Sequence, residues 1–218
     1  RDRVNTANVG TYPIVPSAAA GGTFVASNYS IAYTSGTLTV GVAPLTITAS
    51  AQSKTYGTTL ALGTTLFTSV GLQNGQTIGG VTLTSTGAVN TATVGTYPII
   101  PSAATGGTFV ASNYNITYTN GTLTVGTIPL TITASAQSKT YGATLALGTT
   151  LFTSAGLQNG ETIGGVTLTS TGAVNTANVG SYTIVPSAAT GGTFVASNYS
   201  ITYANGTLTV GAAPLTIT

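Results

Sequence analysis

Pro44-Leu45-Thr46-Ile47-Thr48 decides how the rest of the chain is read, because the same five residues return at Pro129–Thr133 and Pro214–Thr218, 85 positions apart each time. Laying residues 44–128 over 129–213 leaves eleven mismatches and no gap, among them Val70/Ala155, Gln76/Glu161, Thr93/Asn178, Pro98/Thr183 and Asn115/Ser200. Residues 4–43 repeat the second half of that unit. A period of this kind precedes any assignment of elements, since each repeat is one structural unit. The expected organisation is residues 1–43 as the C-terminal part of an incomplete repeat, 44–128 and 129–213 as complete repeat domains, and 214–218 as the first strand of a further repeat. Residues 1–43 would then complete their core only with strands supplied by other sequence.

Within the organising stretch Leu45 and Ile47 alternate with Thr46 and Thr48, the pattern of a half-buried strand. Val9 to Ile14 reads as another strand, with Pro13 pointing to an edge or bulge because it lacks an amide hydrogen. Residues 17–23 read as a loop. Tyr114–Thr119 and Thr122–Val125 flank Asn120-Gly121, which predicts a hairpin closed by a type I′ turn. A second tight turn is expected at Asn159-Gly160, and Lys139–Gly142 reads as a turn or strand end. Leu145 to Phe152 could form a short helix or an extended segment. Gly126-Thr127-Ile128-Pro129 leaves little slack between repeats. The sum is five to seven short strands per repeat, an all-β tandem array of small sandwich or grasp-like domains joined by short connectors.

Composition narrows the function. Charged residues make up 3% of the chain, against about a quarter in ordinary proteins, and they are Arg1, Asp2, Arg3, Lys54, Lys139 and Glu161. Arg1-Asp2-Arg3 occupies the place of Thr86-Gly87-Ala88 in the next copy, as a junction would. One Lys per repeat cannot neutralise a row of phosphates, so nucleic acid is not an expected partner. No apolar run reaches the roughly 18 residues of a spanning helix, so membrane insertion of this segment is not expected. The 42% apolar content and the strand-like alternation oppose disorder.

No catalytic, cofactor-binding or metal-binding residue is predicted, and no cofactor. With no His or Cys in the chain, a hydroxyl has no activating base and zinc lacks its usual ligands. Asp2 and Glu161 are too few for calcium or for a glycosidase pair. Lys54 and Lys139 invite an intramolecular Lys–Asn crosslink, but such a bond uses a neighbouring carboxylate, and the plainer reading lays each Lys stem over Tyr56 or Tyr141. Thr pairs at Thr37/Thr39, Thr46/Thr48, Thr82/Thr84, Thr122/Thr124 and Thr131/Thr133 could order water as an ice-binding face does, though alternate strand positions facing solvent explain them. Eleven Tyr residues could stack on sugars, with core packing the default. Asn28, Asn115, Asn120, Asn198 and Asn205 open Asn-x-Ser/Thr triplets, which matter only where a glycosylation machinery exists.

Six segments recur in order: Leu45–Ala49, Lys54-Thr55-Tyr56-Gly57, Gly71-Leu72-Gln73-Asn74-Gly75, Val94-Gly95-Thr96-Tyr97-Pro98-Ile99, Ser112–Tyr118 and Asn120–Val125. This succession resembles the MBG domain over residues 45–125 and 130–210, with 4–40 as a partial copy. The resemblance implies β-rich repeats of large secreted bacterial surface proteins and adhesins. Where that family often has Asp after the Tyr-Gly, this chain has Thr58 and Ala143. The function so implied is a structural, non-catalytic stalk or fibre, extracellular or on the bacterial cell surface. Each repeat would add about 30 to 40 Å at 3.3 Å per strand residue. Its partners would be neighbouring repeats of the same chain, and identical chains if the repeats associate laterally into a filament or biofilm matrix. A glycan or host ligand is the reading from another class.

Overall fold

The computed structural model describes residues 5–217; Arg1-Asp2-Arg3, Val4 and Thr218 lie outside them. Sixteen strands are assigned among the described residues, in the order the period requires. The first copy contributes β1 (Gly10–Ile14) and β2 (Gly36–Val40). The second carries β3 (Ala43–Ala49), β4 (Gln52–Thr55), β5 (Phe67–Val70), β6 (Ile78–Thr84), β7 (Gly95–Gly107), β8 (Tyr114–Thr119) and β9 (Gly121–Gly126). The third repeats these as β10 (Ile128–Ala134), β11 (Gln137–Thr140), β12 (Phe152–Ala155), β13 (Ile163–Thr169), β14 (Gly180–Gly192), β15 (Tyr199–Ala204) and β16 (Gly206–Gly211). The all-β reading holds. Leu145 to Leu151 forms neither helix nor strand, and β12 starts only at Phe152. Pro214–Ile217 has no strand assigned, and Leu215 and Ile217 stand exposed.

The third copy shows the plan completely. β10 lies between antiparallel β12 and parallel β15. The other ladder runs in the order β11-β16-β14-β13. β14 changes partner midway: Gly180–Ile184 pairs with β16 and Val185–Gly192 with β13. Leu130, Ile132 and Ala134 alternate inward from β10 and join Val166, Leu168, Ile184 and Leu208 in one core. Burying each of the Leu, Ile and Val side chains stabilises the fold by about 1.5–3 kcal/mol. Thr131 faces out between them and Thr133 is half-buried.

The expected hairpin at Asn120-Gly121 does not form. β8 pairs in parallel with β3, and β9 pairs in parallel with β4, so the two predicted hairpin arms belong to different sheets. Tyr114, Ile116 and Tyr118 therefore do not oppose Leu123 and Val125. Gly121 serves close approach instead of a turn: a Cβ there would meet the Ala49 carbonyl oxygen at 2.4 Å. The true type I′ turn is at Asn159-Gly160, with φ of 53° and 71° and Glu161 N–H donating to the Gln158 carbonyl at 2.9 Å. Asn74-Gly75 repeats it.

Pro13, expected at an edge or bulge, sits in the two-stranded β1–β2 ladder opposite Thr37. Its counterpart Pro98 is in the half of β7 before the pairing with β6, which reaches only to Ile100. A missing amide hydrogen is tolerated on that outer side.

The chain divides into two compact units that do not coincide with the sequence repeats. One takes the described residues up to Ser50, with Leu62–Thr84 and Ile99–Gly121; the other takes Ala51–Ala61, Ser85–Pro98 and the described residues from Thr122 on. Each unit therefore unites segments of two successive repeats. In the first, Leu45, Ile47, Val81, Leu83 and Ile99 are buried, whereas Leu38 of β2 and Ile14 of β1 are exposed.

Candidate functional site

The most elaborated polar cluster is the place where two repeats meet inside one compact unit. In the second unit β4 ends in the turn Tyr56-Gly57, and Tyr56 N–H donates to the Gly126 carbonyl at 2.9 Å. This directs the Tyr56 ring inward, to 3% exposure, edge-on to Tyr199 with centroids 5.6 Å apart. The Tyr56 hydroxyl donates to Glu161 Oε1 at 2.6 Å, and the Tyr199 hydroxyl donates to Glu161 Oε2. The Gln158 N–H in turn donates to the Tyr199 oxygen at 3.0 Å. Glu161 reaches both phenols because it follows the Asn159-Gly160 turn. Burial, and then the hydrogen bond to Glu161, pushes the Tyr199 phenol up to about 12. The same causes raise Tyr56. Two phenols held neutral and donating to one carboxylate form a clamp.

Asparagines complete the junction. Asn198 is fully buried and its Oδ1 accepts from the Val94 N–H at 2.9 Å, across 104 positions. In the first unit Asn113 does the same for Val9, and its Nδ2 also donates to Asn8 Oδ1 at 2.9 Å. The counterpart of Asn8 in the second unit is Thr93, and Asn198 Nδ2 has no hydrogen-bond partner there. Asn90 Nδ2 donates to Asn159 Oδ1 at 3.0 Å, and Asn74 Nδ2 donates to the Asn5 carbonyl. This asparagine set escaped sequence reasoning; the Thr93/Asn178 mismatch was its one visible trace.

Among the residues singled out from sequence, Asp2 lies outside the described residues. Lys54 and Lys139 are half-buried, and the ammonium group of each is engaged by backbone carbonyls. Lys54 Nζ donates to the Thr58 carbonyl at 2.8 Å and to that of Val89, and Lys139 does the same to Ala143 and Val174. Desolvation lowers the Lys54 ammonium pKa. Asn198 is buried, which removes that triplet as a glycan acceptor. The Thr pairs alternate outward as expected, with Thr48 and Thr133 half-buried and the rest exposed; Thr133 stands beside Thr153 across the ladder. Besides the clamp pair, Tyr33, Tyr118 and Tyr203 accept from the N–H groups of Ala19, Ala104 and Ala189. The residue before each, Ala18, Ala103 or Ala188, has φ near +50°, so each hydroxyl pins a strained kink.

No group of three or more His, Cys, Asp or Glu gathers among the described residues, and no helix among them is long and apolar enough to cross a membrane. Comparison with protein families matches residues 1–39, 45–124 and 130–209 to the MBG domain, YGX type. The chain belongs to the MBG family. No curated protein matches the chain significantly. Three MBG matches in tandem are consistent with a non-catalytic repeat segment.

Proposed function

We propose that these MBG repeats are a load-bearing spacer, the stalk or fibre of an extracellular bacterial adhesin-like protein. The observation that carries this reading is the junction itself: Tyr56 and Glu161, or Val94 and Asn198, tie successive repeats across 104–105 positions inside one compact unit. Repeats joined only by a connector would pivot about it; repeats that share a core and a buried clamp resist both bending and pulling. Thr-lined strand faces keep the surface hydrated with almost no charge, which makes solubility nearly independent of salt. The absence of Cys and Met from the sequence suits an oxidising exterior.

Single-molecule stretching tests the mechanical part. Discrete unfolding peaks of repeat-sized extension are expected, and a smooth entropic extension with no peaks would refute the spacer reading. Immunogold labelling of intact cells tests the location, with surface label expected and label confined to the interior refuting it. Glycan binding gains no support from the tyrosines whose hydroxyls are committed to backbone or to Glu161; binding on a glycan array that needs exposed Tyr29 or Tyr141 would favour it over the spacer.

A further inference from the structure

In the second compact unit Tyr56 comes from one repeat and Tyr199 from the next, yet their rings stand edge to face, with centroids 5.6 Å apart and planes at 79°. At 3% and 5% exposure, neither ring can meet one from another chain. Both hydroxyls converge on Glu161: Tyr56 donates to Oε1 at 2.6 Å and Tyr199 to Oε2. Each phenolic proton therefore already has its acceptor. Losing an electron makes a phenol strongly acidic, so the electron leaves readily where a positioned base takes the proton with it. Glu161 is half-buried, so a proton it receives can pass on to water. The pair is also held from behind. The Tyr56 N–H donates to the Gly126 carbonyl at 2.9 Å, and the Tyr199 ring lies against Phe194 with centroids 6.3 Å apart.

We infer that Tyr56 and Tyr199 form an oxidative crosslinking site, which a one-electron oxidant of the haem-oxo or photo-oxidised metal-complex class couples into dityrosine, joining two repeats covalently. In the first step the oxidant takes one electron from one phenol, and the hydroxyl proton passes to its Glu161 oxygen and on to solvent. The second phenol loses an electron and a proton in the same way, to the other oxygen. The two phenoxyl radicals then form one bond between ring carbons ortho to the oxygens. The hydrogen on each bonded carbon returns to a phenolic oxygen, which restores both aromatic rings. The sum is two electrons to the oxidant and two protons to water. A bond between such distant points in the chain restricts the unfolded state as a disulfide does, so the crosslinked chain has the higher Tm. The inference stands independently of the spacer reading.

The test illuminates the intact chain, at high dilution, with ruthenium trisbipyridyl and persulfate. Blue dityrosine fluorescence is expected, with a monomer mass lowered by two hydrogens and, after proteolysis, a linked peptide pair carrying Tyr56 and Tyr199. Tyr56→Phe and Tyr199→Phe should each lose that pair, whereas Tyr29→Phe and Tyr141→Phe, at exposed positions, should keep it. Glu161→Gln should form the same linked pair at least about tenfold more slowly, because an amide is a poor proton acceptor. A monomer of unchanged mass, or dityrosine that maps to other tyrosines, overturns the inference. Coupling in Glu161→Gln as fast as in the wild type overturns the carboxylate as proton acceptor.

Discussion

Tyr56 and Glu161 lie 105 positions apart, yet the Tyr56 hydroxyl donates to Glu161 Oε1 at 2.6 Å, and Tyr199 holds the other carboxylate oxygen. The pair crosses the sequence boundary between two MBG repeats. A carboxylate accepting two phenols makes charge-assisted bonds roughly twice as strong as neutral ones. Glu161→Gln, the residue found at position 76, leaves one acceptor for two donors and should cost about 1–2 kcal/mol, read as a lowered denaturation midpoint with unchanged slope.

Alkaline pH tests the same clamp. The Tyr199 phenol is raised from 10.0 to about 12, so the unfolded phenol ionises first. Its contribution is full below pH 10 and is lost as pH rises toward 12, amounting to about 2–3 kcal/mol by linkage. Lys54, with its pKa lowered, acts in the opposite sense. Comparing Tm against alkaline pH for the wild type and Tyr199→Phe isolates the phenol: the variant should fall less steeply.

Thr93→Asn should stabilise the second unit by about 1 kcal/mol, the value of one new hydrogen bond, because Asn198 Nδ2 would gain the partner that Asn8 gives Asn113. The reciprocal Asn8→Thr should cost the first unit a similar amount. Thermal unfolding of both variants checks the pair, and equal midpoints in all three chains would contradict it.

The two kinds of Asn-Gly make opposite predictions. Asn159→Ala forces alanine into φ near +53° and removes the bonds to Asn90, costing about 1–2 kcal/mol. Asn205→Ala, at an exposed position outside any turn of that type, should stay within about 0.5 kcal/mol. Gly206→Ala meets the Ala134 carbonyl oxygen at 2.4 Å and should cost about 1–3 kcal/mol. Urea denaturation ranks the three.

Lys139→Met deletes two bonds to backbone carbonyls and should lose about 1 kcal/mol. With its ammonium engaged by the Ala143 and Val174 oxygens, Lys139 is not set for amide formation, and the intact mass of the chain should show no loss of ammonia.

The sequence by itself determined the 85-residue period, the all-β class, the inward alternation of Leu130 and Ile132, and the turn at Asn159-Gly160. Each of these follows from local preferences or from self-comparison, which need no knowledge of distant partners. Only the tertiary structure decided that Asn120-Gly121 is no hairpin, that β8 and β9 pair in parallel with β3 and β4, and that Tyr56 meets Glu161. Parallel pairing joins strands some 70 positions apart in the chain, and the same Asn-Gly dipeptide serves a type I′ turn or a close approach to Ala49 according to which edge is near. The compact units straddle the repeats for the same reason: burial is settled by which surfaces meet in space, and the period marks only where the sequence begins again.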